Sequence, residues 1–97
     1  MKILAIERVR PGAIADRFRD HLRAEAARAW ELYQAGVIRE LYFRQDIHSA
    51  VLVLECQDVE EAESILGTLP LVKEGLIAFD TMPLVAYPGF SRLFSEA

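Results

Sequence analysis

Two hydrophobic periods alternate along the chain, one of two residues and one of three to four, and their order predicts the elements. Residues 2–9 are short, rich in aliphatic side chains and stopped by Arg10-Pro11-Gly12, which reads as a first strand. Over residues 13–35 the apolar positions Ile14, Phe18, Leu22, Ala26, Ala29, Trp30 and Tyr33 recur at three- and four-residue steps, the mark of one long amphipathic helix. Trp30 and Tyr33 continue its apolar stripe and are expected in the core. Gly36 stands where a left-handed C-cap is expected, because glycine alone takes positive φ without steric cost. A second strand follows over 37–44. A hairpin-length connection, 45–49, leads to a strongly apolar third strand over 50–56, paired antiparallel with the second.

Asp58 precedes Glu61 by three residues, an acidic form of the capping box that also sets negative charge at the positive end of a helix. This second helix closes at Gly67, an irregular stretch covers 68–75, and a fourth strand runs over 76–82. Pro83 has no N–H for a ladder, which assigns this strand to a sheet edge. Residues 84–87 suit a short fifth strand. The order strand, helix, strand, strand, helix, strand is the ferredoxin-like βαββαβ pattern of an α+β protein. It implies a four-stranded antiparallel sheet in spatial order four, one, three, two, with both helices on one face.

Strand alternation then sorts the side chains. With Leu4, Ile6, Leu41, Phe43, Leu52, Leu54, Ile77 and Phe79 toward the helices, the opposite face holds Ile3, Ala5, Val51, Val53 and Ala78. It also holds Glu7, Glu40, Tyr42, Arg44, Glu55 and Asp80. Such an apolar strip calls for a cover, and a second subunit's sheet supplies it, as a homodimer or a higher homo-oligomer. The chain reads as a single domain over 1–97. Its tail, 88–97, carries Phe90, Leu93 and Phe94 and is expected to dock on a partner subunit or to fold back over its own second helix.

Composition narrows the function classes. Residues 1–48 hold nine basic and seven acidic groups and residues 49–97 hold two and eight, which gives the net charge of −4. The arginines Arg17, Arg19, Arg23 and Arg28 alternate with Asp16, Asp20, Glu25 and Glu31 at helical spacing, so they read as an ion-paired solvated face, without nucleic-acid binding. No apolar run approaches the roughly 20 residues that span a bilayer, so no membrane partner and a cytoplasmic location are expected. Glu7 and Arg8 interrupt the opening apolar run before it makes a signal-peptide core. A single cysteine, Cys56, and two distant histidines offer neither a disulfide nor zinc spacing, and no metal or cofactor is expected. Cys56 reads as a small buried hydrophobe.

Gly36 with Arg39-Glu40-Leu41-Tyr42, then Ser49 and the strand to Glu55, then Leu66 with Leu69-Pro70-Leu71, and finally Pro83-Leu84 and Pro88 form an ordered set. In order and spacing it resembles the muconolactone isomerase family of dimeric α+β barrels, over nearly the whole chain beyond residue 20. The resemblance implies assembly into dimers and larger rings. It also implies a cofactor-independent proton shift on a small lactone or unsaturated acid. Glu25 falls at the position of the family's helix carboxylate. Leu22 and Ala26 stand where the family has lysines, and Glu40 and Tyr42 where it tends to have histidine and tryptophan.

Four groupings can carry chemistry. A hairpin centred between Ile47 and His48 sets Glu40 across from Glu55 and Tyr42 across from Val53. Two facing carboxylates in a covered space raise one pKa and prepare it for proton transfer, unless an arginine such as Arg39 neutralises them. Glu7, Arg44 and His48 gather at the other end of the sheet, where Arg44 either holds a substrate carboxylate or bridges to Glu7. His21 lies four residues before Glu25, within reach along one helix face. The catalytic candidates are thus Glu25, Glu40 and Glu55, and the substrate-binding ones Tyr42, Arg44, Glu7 and His21. Beside a small-molecule isomerase, two readings stay open. One is a monooxygenase on the same fold, whose haem form requires His21 or His48 as axial ligand. The other is a non-catalytic ligand-binding or assembly module, with no nucleophile motif or phosphate loop present.

Overall fold

A computed structural model describes residues 1–95; residues 96 and 97, the last two of the expected tail, lie outside the described residues. Strand β1 (Lys2–Val9) leads into helices α1 (Ala15–Arg19) and α2 (Leu22–Gln34), then strands β2 (Ile38–Phe43) and β3 (Ala50–Glu55). Helices α3 (Val59–Leu66) and α4 (Pro70–Lys73) and strand β4 (Ile77–Leu84) follow, and a 3-10 helical segment covers Gly89–Phe94. The sheet order is β2-β3-β1-β4 with every pairing antiparallel, the α+β ferredoxin-like arrangement expected from the pattern. Pro83 sits in β4 at the margin of the sheet, where its missing N–H costs no ladder bond.

The expected first helix is two helices. Phe18 on α1 packs with the small cluster of Leu71, Leu76 and Ile77, whereas Leu32 and Ala29 on α2 pack with the main core over the sheet. The two halves serve different clusters, and the chain turns between them at Asp20 and His21, residues of modest helix propensity. The ion pairs Arg19–Asp16 and Arg28–Glu31 lie on the solvent side, as the charge spacing implied. Gly36 takes φ +79° after α2, the left-handed C-cap position. Asp58 accepts the Glu61 N–H at 2.8 Å, and the Glu61 carboxylate reaches back to the Gln57 N–H at 3.4 Å, so the capping pair at α3 is reciprocal. The stretch read as irregular contains α4, started by Pro70 at its first position, where no N–H is needed.

The core lies between sheet and helices, with Ile3, Ala5, Ile38, Leu52 and Leu54 from the strands against Leu32, Ala62, Leu66 and Leu69. Cys56 is buried, as expected. Here β1 is one residue out of phase with the expectation: Ile3 and Ala5 face the helices and are fully buried, while Leu4 and Ile6 lie partly buried on the other face. The register accounts for it, since Ile3 pairs with Leu54 and Ala5 with Leu52, both inward. Glu7 follows them to the helix side. The outer face therefore carries Leu4, Ile6, Val51, Val53 and Ala78, and it is apolar at its centre.

Residues 84–87 do not form a fifth strand. After Leu84 the chain leaves the sheet as an arm, and the molecule spans 60 × 29 × 22 Å. Its radius of gyration is 16.2 Å, against roughly 12–13 Å for a compact chain of this length.

Candidate active site

Between the inner sheet face and helices α1, α2 and α4 lies an open cavity of about 720 Å³. Its walls are apolar: Phe18 and Leu22 from the helices, Leu41, Phe43 and Phe79 from the strands, and Leu71 from α4. Small residues on the helices, Ala26 and Ala29 among them, leave the space. Three side chains with ionisable groups enter this lining, Glu7, Glu25 and His48.

Glu25 lies in the first turn of α2, and its carboxylate accepts the backbone N–H of Leu71 at 2.9 Å. Its pKa is raised, chiefly because burial disfavours the charge; the nearby Glu7 charge adds to the rise, while the Leu71 N–H and His21 oppose it. Glu7 is likewise raised by burial, against the Ala50 N–H, which it accepts at 3.3 Å, and the charge of His48. Ser49, the one buried polar residue among those described, donates its hydroxyl to the Glu7 carbonyl at 2.7 Å and anchors the end of β1. The His48 ring stacks on Phe43 at 4.4 Å between centroids and closes the strand side of the cavity. Two carboxyl groups in apolar surroundings, both shifted chiefly by burial, hold protons more firmly than carboxylates in water. Carboxyl groups held in this way are candidates for proton transfer.

The other expected groupings come apart. Glu40 pairs with Val53 and Tyr42 with Val51, because the hairpin centres between Asp46 and Ile47, one residue earlier than expected; Glu40 and Glu55 never meet. Glu55 instead binds the N-terminal ammonium, whose hydrogen bond and charge hold its pKa down. The Tyr42 hydroxyl donates to the Glu40 carboxylate at 2.8 Å, and this bond keeps the Tyr42 phenol raised. Arg44 forks onto Asp46 inside the β2–β3 turn, away from Glu7. His21 does stand beside Glu25, and its carbonyl accepts the Glu25 N–H at 2.8 Å. The turn of Glu7 to the helix side, into the cavity lining it shares with Glu25, is the feature that sequence reasoning missed. The signal was present in Ser49 and Ala50, which anchor the end of β1 and fix its phase.

Trp30 and Tyr33 are not in the core. They are about half-exposed and stack on each other at 5.8 Å between centroids. With Leu41 and Tyr42 they line a shallower groove of about 490 Å³ on the β2 side of α2, which shares Ala26, Ala29 and Leu41 with the lining of the cavity. Among the described residues no cluster of three or more His, Cys, Asp or Glu side chains is arranged to hold a metal ion. No helix there is long and apolar enough to cross a membrane.

A four-stranded antiparallel sheet of this order with its helices on one face defines the ferredoxin-like α+β class. No family model matches the sequence, and no curated protein matches it. Among solved structures, the chain is similar to 5-chloro-2-hydroxyhydroquinone dehydrochlorinase from Burkholderia phenoliruptrix, solved in complex with 2,5-dihydroxybenzoquinone. The TM-score is 0.69 at 22% identity, covering 90% of this chain and 96% of that one. At that identity the likeness is one of fold.

Proposed function

We propose that this protein is a small-molecule enzyme that moves a proton on a compact unsaturated ligand, a small lactone, an unsaturated acid or an oxygenated ring, without a cofactor. The observation that carries the reading is the pair Glu7 and Glu25, both with raised pKa, in a cavity whose lining is apolar apart from these two and His48. One of them, ionised, takes a proton from a ligand carbon, and the electron pair moves into the neighbouring unsaturated system. The other, protonated, returns a proton at the far end of that system. Two acids whose pKa values are both raised by burial suit this exchange, because each holds and releases a proton nearer neutral pH than a carboxylate in water does. The Leu71 N–H fixes the Glu25 carboxylate, and the apolar walls around it disfavour its charged form. The sequence resemblance to muconolactone isomerases supports the same reaction class. So does the fold neighbour, whose bound dihydroxybenzoquinone is a small oxygenated ring.

We also read the outer sheet face as a contact between two copies, on the ground that Leu4, Ile6, Val51 and Val53 form one apolar surface across two strands.

The proton-transfer reading is tested by incubating the protein in D₂O with a panel of unsaturated lactones and hydroxylated quinones and following deuterium entry at ligand carbon by NMR. Wild type accelerates exchange for at least one class, and Glu25→Gln reduces it by about 10²-fold or more, the range for loss of a positioned acid or base. Exchange that is indifferent to both Glu25→Gln and Glu7→Gln would refute the assignment.

A further inference from the structure

The cavity carries two carboxyl groups and, among the described residues, neither lysine nor arginine lines it. Its helix side is filled by Phe18, Leu22 and Ala26. Arginines on or beside the walling elements turn to other partners: Arg17 meets Glu74 at 3.4 Å, Arg28 donates to the Thr68 hydroxyl at 2.9 Å, and Arg44 forks onto Asp46. Arg39 lines the shallower groove and not the cavity. His48 is the one basic side chain in the lining, and its charge already acts on Glu7, so it balances at most one of the two carboxylates.

An anionic ligand meets one of two costs in such a space. With Glu7 and Glu25 ionised, its carboxylate faces like charge; with them protonated, it leaves water for apolar walls where no guanidinium or ammonium receives it. An uncharged ring meets neither cost. Phe18, Phe43 and Phe79 offer it aromatic faces. In both carboxyl groups Oε1 accepts a backbone N–H, from Ala50 for Glu7 and from Leu71 for Glu25, and Oε2 accepts no hydrogen bond among the described residues. Each Oε2 is thus open to a ligand hydroxyl when ionised, or to a ligand carbonyl when protonated.

We propose that the cavity takes uncharged ligands, flat rings whose polar groups are hydroxyl or carbonyl, and excludes carboxylates. The inference rests on the reading of this cavity as the ligand site and narrows the ligand types given there. Lactones and oxygenated rings enter as they are, whereas an unsaturated acid enters only when its own carboxyl is protonated or masked as an ester or amide.

Matched pairs of nearly equal shape and different charge test it. One pair is para-hydroxybenzamide and para-hydroxybenzoate; the other is an unsaturated lactone with a carboxamide side chain and the same lactone with a carboxylate. Calorimetry on the full chain at neutral pH is expected to find the uncharged member at least about tenfold tighter, the effect of one unmatched charge at close range. A cation placed in the lining is expected to undo the preference. Ala26→Lys shifts the ratio of affinities toward the carboxylate by at least about tenfold relative to Ala26→Gln, which adds similar length without charge. Ala26 is exposed in the protomer, so both variants are expected to keep the wild-type circular-dichroism spectrum. Equal affinities within the pairs, tighter binding of the carboxylates, no binding of either uncharged member, or a ratio the same in Ala26→Lys as in Ala26→Gln would overturn the proposal. Affinity ratios are read without turnover. A protein that prefers the uncharged members and exchanges no ligand proton keeps this inference and loses the proton-transfer assignment, and one that exchanges protons on carboxylates and amides alike does the reverse.

Discussion

Glu25 accepts the backbone N–H of Leu71 at 2.9 Å, which ties the first turn of α2 to the first turn of α4 across one end of the cavity. The carboxylate is therefore a brace as well as an acid, and the two roles separate on substitution. Glu25→Gln keeps an oxygen for the Leu71 N–H and removes the titration. Glu25→Ala removes both and leaves the half-buried N–H without its acceptor.

Both cavity carboxyls carry a folded-state pKa above the ordinary 4.5. Each holds its proton more tightly when folded. Its contribution to stability is thus complete below the unfolded value and is lost as pH rises through the raised value. The urea midpoint of wild type is expected to fall, relative to Glu7→Gln/Glu25→Gln, as pH rises from about 4.5 toward neutrality. Parallel profiles for the two proteins would remove the electrostatic basis of the site.

Ala26 lines both the cavity and the groove and is exposed in the protomer. Ala26→Phe places a ring at their junction. Ligand affinity measured by calorimetry is expected to drop at least about tenfold, or about 1.4 kcal/mol. The unfolding free energy is expected to stay within about 0.5 kcal/mol of wild type, as for surface substitutions.

Leu4 stands opposite Val53 at the centre of the outer sheet face. Leu4→Arg introduces a charge there, which a paired sheet cannot solvate and an isolated protomer can. Light scattering is expected to show a folded 11.0 kDa species. A dimer that persists in this variant would assign the contact to another surface.

Asp58→Ala removes the side-chain acceptor for Glu61 N–H at the start of α3. The expected cost is about 1 kcal/mol in urea unfolding, without effect on ligand affinity, because α3 does not line the cavity.

The βαββαβ order, the caps at Gly36 and Asp58 and the edge position of Pro83 were legible because each rests on local chemistry. What escaped was phase. Ile3-Leu4-Ala5-Ile6 is apolar at every position, so no alternation marks which pair faces inward, and the fate of Glu7 hangs on that choice. Trp30 misled for a related reason: an apolar stripe around α2 is wider than the protomer's core, and the excess faces a surface groove. The kink at Asp20 and His21 serves two distant clusters and has no local signature beyond weak helix formers.

The register shift in β2 has one more consequence. Ile38 pairs with Leu54 and points inward, yet Glu40 pairs with the next residue, Val53, and points outward, so Arg39 is a residue in excess. Deleting Arg39 would leave Ile38, Glu40 and Leu41 in unbroken alternation against Leu54, Val53 and Leu52. A one-residue deletion elsewhere in the strand turns every following side chain to the wrong face. At position 39 alone the strand carries a spare length, and there the reading frame of faces tolerates the loss of a codon.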